Sequence, residues 1–206
     1  MTPLFPLKFF WEAFVTLLVI TDPPGIVPVF LGMTARRPVA ERNRLAWQAA
    51  IVALGVIVAF ALFGRSILAY LGVSLPALEA AGGLLLLLVA LELLTGRAAD
   101  PGELERTRAN VAFVPLGTPL LAGPGAIVAT MLFVQRTQSV GDGLAFGVAL
   151  ILVVVALWLA MRFSGLILRL LHESGVELLS RIAGLLLSAI AVQLIIGAVR
   201  TIVLQS

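Results

Sequence analysis

Long apolar runs alternate with short connections that hold most of the charge. The runs lie at about residues 9–33, 45–71, 75–94, 111–134, 144–161 and 182–204. A helix needs about 20 mainly apolar residues to cross a bilayer, so the pattern predicts six helical spans. Two of the runs are interrupted. The first carries TDPPGIVPVF (Thr21–Phe30), which sets an acid, three prolines and a glycine inside an apolar stretch. The fourth carries LLAGPGAIVATMLF (Leu120–Phe133), with Pro115 and Pro119 just before or within its start.

Composition points to the same solvent. The 206 residues are 61% hydrophobic and 12% charged, with a mean hydropathy of +1.12. A soluble domain is about 45–50% apolar and about 25% charged, so a bilayer is expected to take up the excess apolar surface. Cysteine is absent, which removes disulfides and thiolate metal sites, and the one histidine, His172, sits in a polar connection. The net charge of +3 is scattered between apolar runs rather than gathered on one soluble face, so nucleic acid is not an expected partner. Lys8 precedes the first run as in a signal peptide, but that run leads into further apolar sequence and is read as a retained span.

The basic residues give an orientation. Connections one–two, three–four and five–six hold ten: Arg36, Arg37, Arg42, Arg44, Arg97, Arg106, Arg108, Arg162, Arg169 and Arg181. The other side holds four: Lys8, Arg65, Arg136 and Arg200. The positive-inside rule places the ten in the cytoplasm and both termini outside. Trp11, Trp47 and Trp158 fit anchoring at the membrane interface.

Two halves of the chain resemble each other. Pro24-Gly25 aligns with Pro124-Gly125, and GLLLLLVALELLTG (Gly83–Gly96) aligns with GLLLSAIAVQLIIG (Gly184–Gly197), pairing Glu92 with Gln193. Glu92 and Gln193 are expected near the membrane interfaces. The small runs Ala80-Ala81-Gly82-Gly83 and Ala183-Gly184 are expected to let helices approach closely. Three spans per copy is an odd number, so the second copy must be inverted. The expected fold class is therefore an all-α integral membrane protein. Its six transmembrane helices form a 3+3 inverted-topology repeat, with spans one and four broken near the midplane. One membrane domain covers residues 1–206, with repeat one at about 1–99 and repeat two at about 110–206.

The breaks supply the chemistry. Proline removes a backbone donor and glycine frees the chain. The first helix is expected to stop at Asp22-Pro23-Pro24-Gly25 and a second to start near Ile26, with Pro28 in its first turn. The fourth span is expected to break at Ala122-Gly123-Pro124-Gly125. Irregular backbone at that depth is tolerated only inside protein or along a cavity. Helix starts offer N–H groups and a positive dipole end, which suit a carboxylate. Helix ends offer carbonyls, which suit an ammonium group or a cation. A small zwitterion carries both. Asp22 is the only acid at mid-depth, a costly placement that marks a functional candidate. Three roles stay open for it: binding an ammonium group, carrying a proton, or capping the next helix. Thr21 and Thr118 could add hydroxyl ligands.

DPPGIVPVF resembles the D-P-x-G-x-x-P-x-F signature of the MarC family of multi-pass inner-membrane proteins. VPLGTPLLAGPGAI (Val114–Ile127) resembles that family's second signature, and AGGLLLLLVALELL (Ala81–Leu94) its third-span pattern. The resemblance implies a prokaryotic cytoplasmic-membrane protein with six spans. It also implies a family that includes proton-driven transporters of small neutral amino acids such as glycine and alanine.

The expectation is a secondary transporter of small neutral amino acids, coupled to protons or sodium, with alternating access. The alternatives are an ion or small-solute channel, or an exporter of another small metabolite. The expected binding residues are Thr21, Asp22, Pro23, Pro24, Gly25, Thr118, Ala122, Gly123, Pro124 and Gly125. No catalytic residue, metal or cofactor is expected, because no nucleophile–base pair and no Walker loop are present. The lipid bilayer is the other partner, and self-association stays open.

Overall fold

A computed structural model of the chain describes residues 6–34, 37–95 and 122–205. Among these, the elements in order are α1 (Leu7–Thr21), α2 (Pro23–Thr34), α3 (Val39–Leu71), α4 (Leu75–Thr95), α5 (Pro124–Arg136), α6 (Val140–Arg162) and α7 (Ser164–Gln205). Five stretches are long and apolar enough to cross a membrane: Leu7–Leu31, Val39–Leu71, Leu75–Thr95, Val140–Arg162 and Ser174–Leu204. The first of these runs through both α1 and α2. The first half of the expected fourth span lies outside the described residues; its second half is α5.

Local chemistry sets the ends. α3 stops at Gly72, whose φ of 66° closes a left-handed cap with its N–H on the Ala69 and Leu68 carbonyls, and a tight turn leads into α4. α6 starts in a capping box: Asp142 N–H donates to the Ser139 hydroxyl, and the Asp142 carboxylate accepts from Ser139 N–H. α7 is interrupted at His172, which takes φ 55° and ψ 172°.

α6 is the most enclosed of the five membrane-length stretches. Ala145, Ala149, Leu150, Val153, Leu157 and Met161 form one buried stripe at helical spacing. Against it pack Ala13 and Leu17 of α1 and Ala46, Ala50, Ala53 and Ile57 of α3. Alanine at the facing positions lets helix backbones come close, which is how helices associate in lipid. The outside is apolar as well: Leu62 is 68% exposed, Leu84 55% and Ile196 56%. Such a surface has no place in water.

α4 and α7 cross in a reciprocal way. A β-carbon on Gly83 would lie 2.8 Å from the Ala191 carbonyl and 2.7 Å from Ile195. A β-carbon on Gly184 would lie 3.1 Å from the Ala90 carbonyl and 3.3 Å from Leu94. Adding 101 to Gly83, Ala90 and Leu94 gives Gly184, Ala191 and Ile195, so the two sets of contacts exchange under that offset. Partner numbers fall along α7 as they rise along α4, so the helices run antiparallel. Leu86 and Leu187, also 101 apart, are both buried where the helices cross, with Ala90 and Ala191 beside them. The glycine-on-carbonyl contact made by each helix is returned by the other, the mark of two-fold packing.

At both glycines the obstacle is partner backbone, which cannot swing aside. Gly83→Ala and Gly184→Ala should each lower stability by about 1–3 kcal/mol through overpacking, read as a drop in melting temperature in detergent. Gly147→Ala, where a β-carbon meets nothing within 4 Å, should be neutral or mildly stabilising.

Candidate functional site

Asp22 separates α1 from α2 by a single residue. Its φ of 40° and ψ of 68° place it in the left-handed region, which aspartate tolerates better than most residues. Its N–H still reaches the Leu18 carbonyl at 3.1 Å, and its own carbonyl accepts from Ile26 N–H at 3.2 Å. The chain turns without losing these bonds.

The turn is tighter than the residue types suggest. α2 begins at Pro23, not near Ile26, and Pro28 lies inside the helix rather than in its first turn. Pro23, Pro24 and Gly25 are the first three helical residues, not irregular backbone. The physical reason is that proline's fixed φ suits a first turn, where its missing N–H has no helical partner to lose. This limits what the start of α2 can donate. Pro23 and Pro24 have no N–H and Ile26 N–H is taken, which leaves Gly25 N–H alone.

The Asp22 side chain folds over that position. Asp22 is 8% exposed, and a β-carbon on Gly25 would lie 2.0 Å from Asp22 Oδ2 and 3.2 Å from Ser180 Oγ. Gly25 N–H and the Ser180 hydroxyl are the nearest polar groups, but both Asp22 oxygens stay buried without a bond of hydrogen-bonding geometry. Gly25 is therefore required by close approach. Ser180 of α7 escaped the sequence reading, since it lies between Glu177 and Arg181 at the polar start of an apolar run.

The start of α5 is built differently. Gly123 precedes it, Pro124 opens it, and no side chain caps it. Ile127 N–H bonds the Gly123 carbonyl at 3.2 Å, so Gly125 and Ala126 carry the free N–H groups of the first turn. Ala122 is buried in the position matching Asp22 at an offset of 100. A β-carbon on Gly125 would lie 2.1 Å from Leu86 Cδ2 and 3.4 Å from Ile20 Cγ2. The start of α5 thus sits beside Ile20, two residues before Asp22, and beside the α4–α7 crossing.

Thr21 is buried, and its hydroxyl donates to the Leu17 carbonyl at 2.9 Å, leaving only lone pairs for another partner. Thr118 lies outside the described residues. A cavity of about 380 Å³ opens between α1, α5 and α7, lined in part by Thr16, Ile20, Ala129, Phe133, Arg136 and Gln193. Gln193 therefore lines this cavity, with Arg136 among the other lining residues. Among the described residues no group of His, Cys, Asp and Glu could hold a metal ion.

A largely apolar exterior around closely packed helices, with Asp22 buried at the joint of two helices, defines an integral multi-pass membrane protein. The chain belongs to the MarC family of integral membrane proteins, which matches residues 7–203. It is 37% identical over 199 residues to a UPF0056 membrane protein of Methanocaldococcus jannaschii, covering 94% of this chain and 97% of the relative. It is 30% identical over 205 residues to the UPF0056 membrane protein YhcE of Escherichia coli K12, covering 96% and 95%. A UPF0056 membrane protein of Aquifex aeolicus is 31% identical over 199 residues, covering 94% and 93%. Relatives thus occur in both bacteria and archaea. No solved structure matches the chain.

Burying an unpartnered carboxylate is costly, so Asp22 weakens the ligand-free fold. Asp22→Asn keeps a residue that tolerates both the left-handed turn and a capping role. Its melting temperature should equal or exceed the parent's. A loss above about 1 kcal/mol, the size of a lost cap, would show that the charge itself is structural. Gly25→Ala, which must displace the carboxylate, should instead destabilise by about 1–3 kcal/mol.

Proposed function

We propose that the protein is a secondary transporter of small neutral amino acids of the glycine and alanine kind, driven by a proton gradient. The observation that carries this is the buried, unpartnered Asp22 carboxylate, with the uncapped start of α5 packed against Ile20, two residues before it. The amino acid's carboxylate accepts from Gly125 and Ala126 N–H, where the helix dipole also favours a negative group. Its ammonium group faces Asp22 and the carbonyls at the end of α1. This assignment is one-directional, because the start of α2 has one free N–H already overhung by Asp22. Leu86 and Ile20 crowd the start of α5, which favours a substrate with little or no side chain. Between substrates Asp22 holds a proton, which provides the coupling. No covalent chemistry is part of this cycle.

In this reading spans one and four are the interrupted members of a 3+3 inverted repeat, and the residues outside the description complete span four. The reciprocal antiparallel crossing of α4 and α7 supports it, because inverted copies meet in that way. Rocking of one repeat against the other exposes the site to each side in turn. The arginine-rich connections lie in the cytoplasm of a prokaryotic cell and both termini lie outside.

Liposomes holding the purified protein test the proposal. Labelled glycine or alanine should enter saturably and faster under an imposed pH gradient. Asp22→Asn should reduce transport by about 10–100-fold, the worth of a hydrogen bond to a charged group. Unchanged transport in that variant would leave Asp22 a cap. Unsaturable current in place of uptake would make the protein a channel.

A further inference from the structure

A second polar cluster lies away from Asp22, where the start of α3 meets the end of α6 and the start of α7. Ser164 is 0% exposed, and its hydroxyl has no hydrogen-bond partner. Arg42 Nε is also buried without a partner. A terminal nitrogen of the same guanidinium lies 3.6 Å from where a β-carbon on Gly165 would sit. Arg162 reaches across from α6 to donate to Asn43 Oδ1 at 2.5 Å. Among the described residues, no carboxylate pairs with Arg42 or Arg162.

The backbone adds to this. α7 starts at Ser164, and its first bonds run from Leu166 and Ile167 N–H to the Phe163 carbonyl. The N–H groups of Ser164 and Gly165 are the unpaired donors of that first turn. Two guanidinium groups, a buried hydroxyl and a helix start thus meet at one corner with no carboxylate among the described residues paired to them. Unpaired buried donors are costly, and an oxyanion would pair with them.

The surroundings indicate its source. One turn beyond Asn43 on α3 is Trp47, and one turn before Arg162 on α6 is Trp158. Their rings meet edge to face at 6.0 Å. Ile51, Val155 and Ile151 continue that seam and are exposed on the outside. Polar corner, tryptophan pair and apolar seam follow one another along the antiparallel α3–α6 pair. That sequence matches the phosphate, ester and acyl levels of a lipid, and tryptophan favours the middle level.

The geometry points to a phosphate-binding site for one anionic phospholipid of the arginine-rich leaflet, formed by Arg42, Arg162 and Ser164. Phosphate is the group recognised. A free oxyanion shares that chemistry but would leave the tryptophan seam unused.

Tryptophan quenching tests this on the full chain in mixed micelles, with Trp11→Phe so that Trp47 and Trp158 report alone. Phosphatidylglycerol brominated on its acyl chains should quench at a several-fold lower mole fraction than brominated phosphatidylcholine. Arg42→Gln should reduce that preference about fivefold, the weight of one basic group near an anionic lipid. Ser164→Ala, a smaller change, should weaken it in the same direction and serves if Arg42→Gln fails to fold. Equal quenching by the two lipids, or an undiminished preference in a folded variant, would overturn the site. Displacement of the brominated phosphatidylglycerol by inorganic phosphate at constant ionic strength would assign the corner to a free oxyanion and overturn the lipid.

Discussion

The close crossing of α4 and α7 is the contact on which the rest of the structure depends. Lipid provides no hydrophobic drive for helices to associate, so packing at short range must hold them together. Gly83 and Gly184 allow each helix to rest on the other's backbone, against the carbonyls of Ala191 and Ala90. The start of α5 is seated on this crossing, since Leu86 fills the space that a side chain at Gly125 would need. The crossing therefore positions the uncapped N–H groups as well as joining the two helices.

The joint between α1 and α2 solves a different problem. Backbone that leaves the helix inside a bilayer must keep its polar groups paired. Here one left-handed residue makes the turn while its N–H and carbonyl stay bonded on either side. Two prolines then open α2 without wasting a donor. The acid that permits the turn is also the acid left without a partner. Local backbone need and site chemistry fall on the same residue. The residue 100 positions on is Ala122, buried as well but neutral.

Much of this was legible in the residues. Apolar length located five of the six expected spans, because a bilayer demands it; the first half of the fourth lies outside the described residues. Small residues at Gly83 and Gly184 point to close helix approach, which the α4–α7 crossing bears out, but the alignment of the two Gly-rich segments does not say that they meet each other. Asp22 stood out because a carboxylate in an apolar run has few structural excuses. Other features left no such trace. The α2 boundary was misjudged by three residues, because prolines read as breakers until the first turn is known to hold them. Ser180, Arg42 and Ser164 acquire meaning only through contacts between distant segments. Each sits among ordinary polar neighbours at the edge of a run, with no period or spacing to mark it.

The lengths of two helices carry one more consequence. α3 and the part of α7 that follows His172 each have about 33 residues, or about 50 Å of rise, against about 30 Å of hydrocarbon. Both begin with charge, Glu41, Arg42 and Arg44 in one and Glu177 and Arg181 in the other. The early turns of α3 therefore stand clear of the acyl chains as a charged collar on one side, while Glu177 and Arg181 flank Ser180 at the level of Asp22. Such a collar fixes how deep the whole bundle sits, since sinking it would drag guanidinium groups into hydrocarbon and raising it would expose leucines to water.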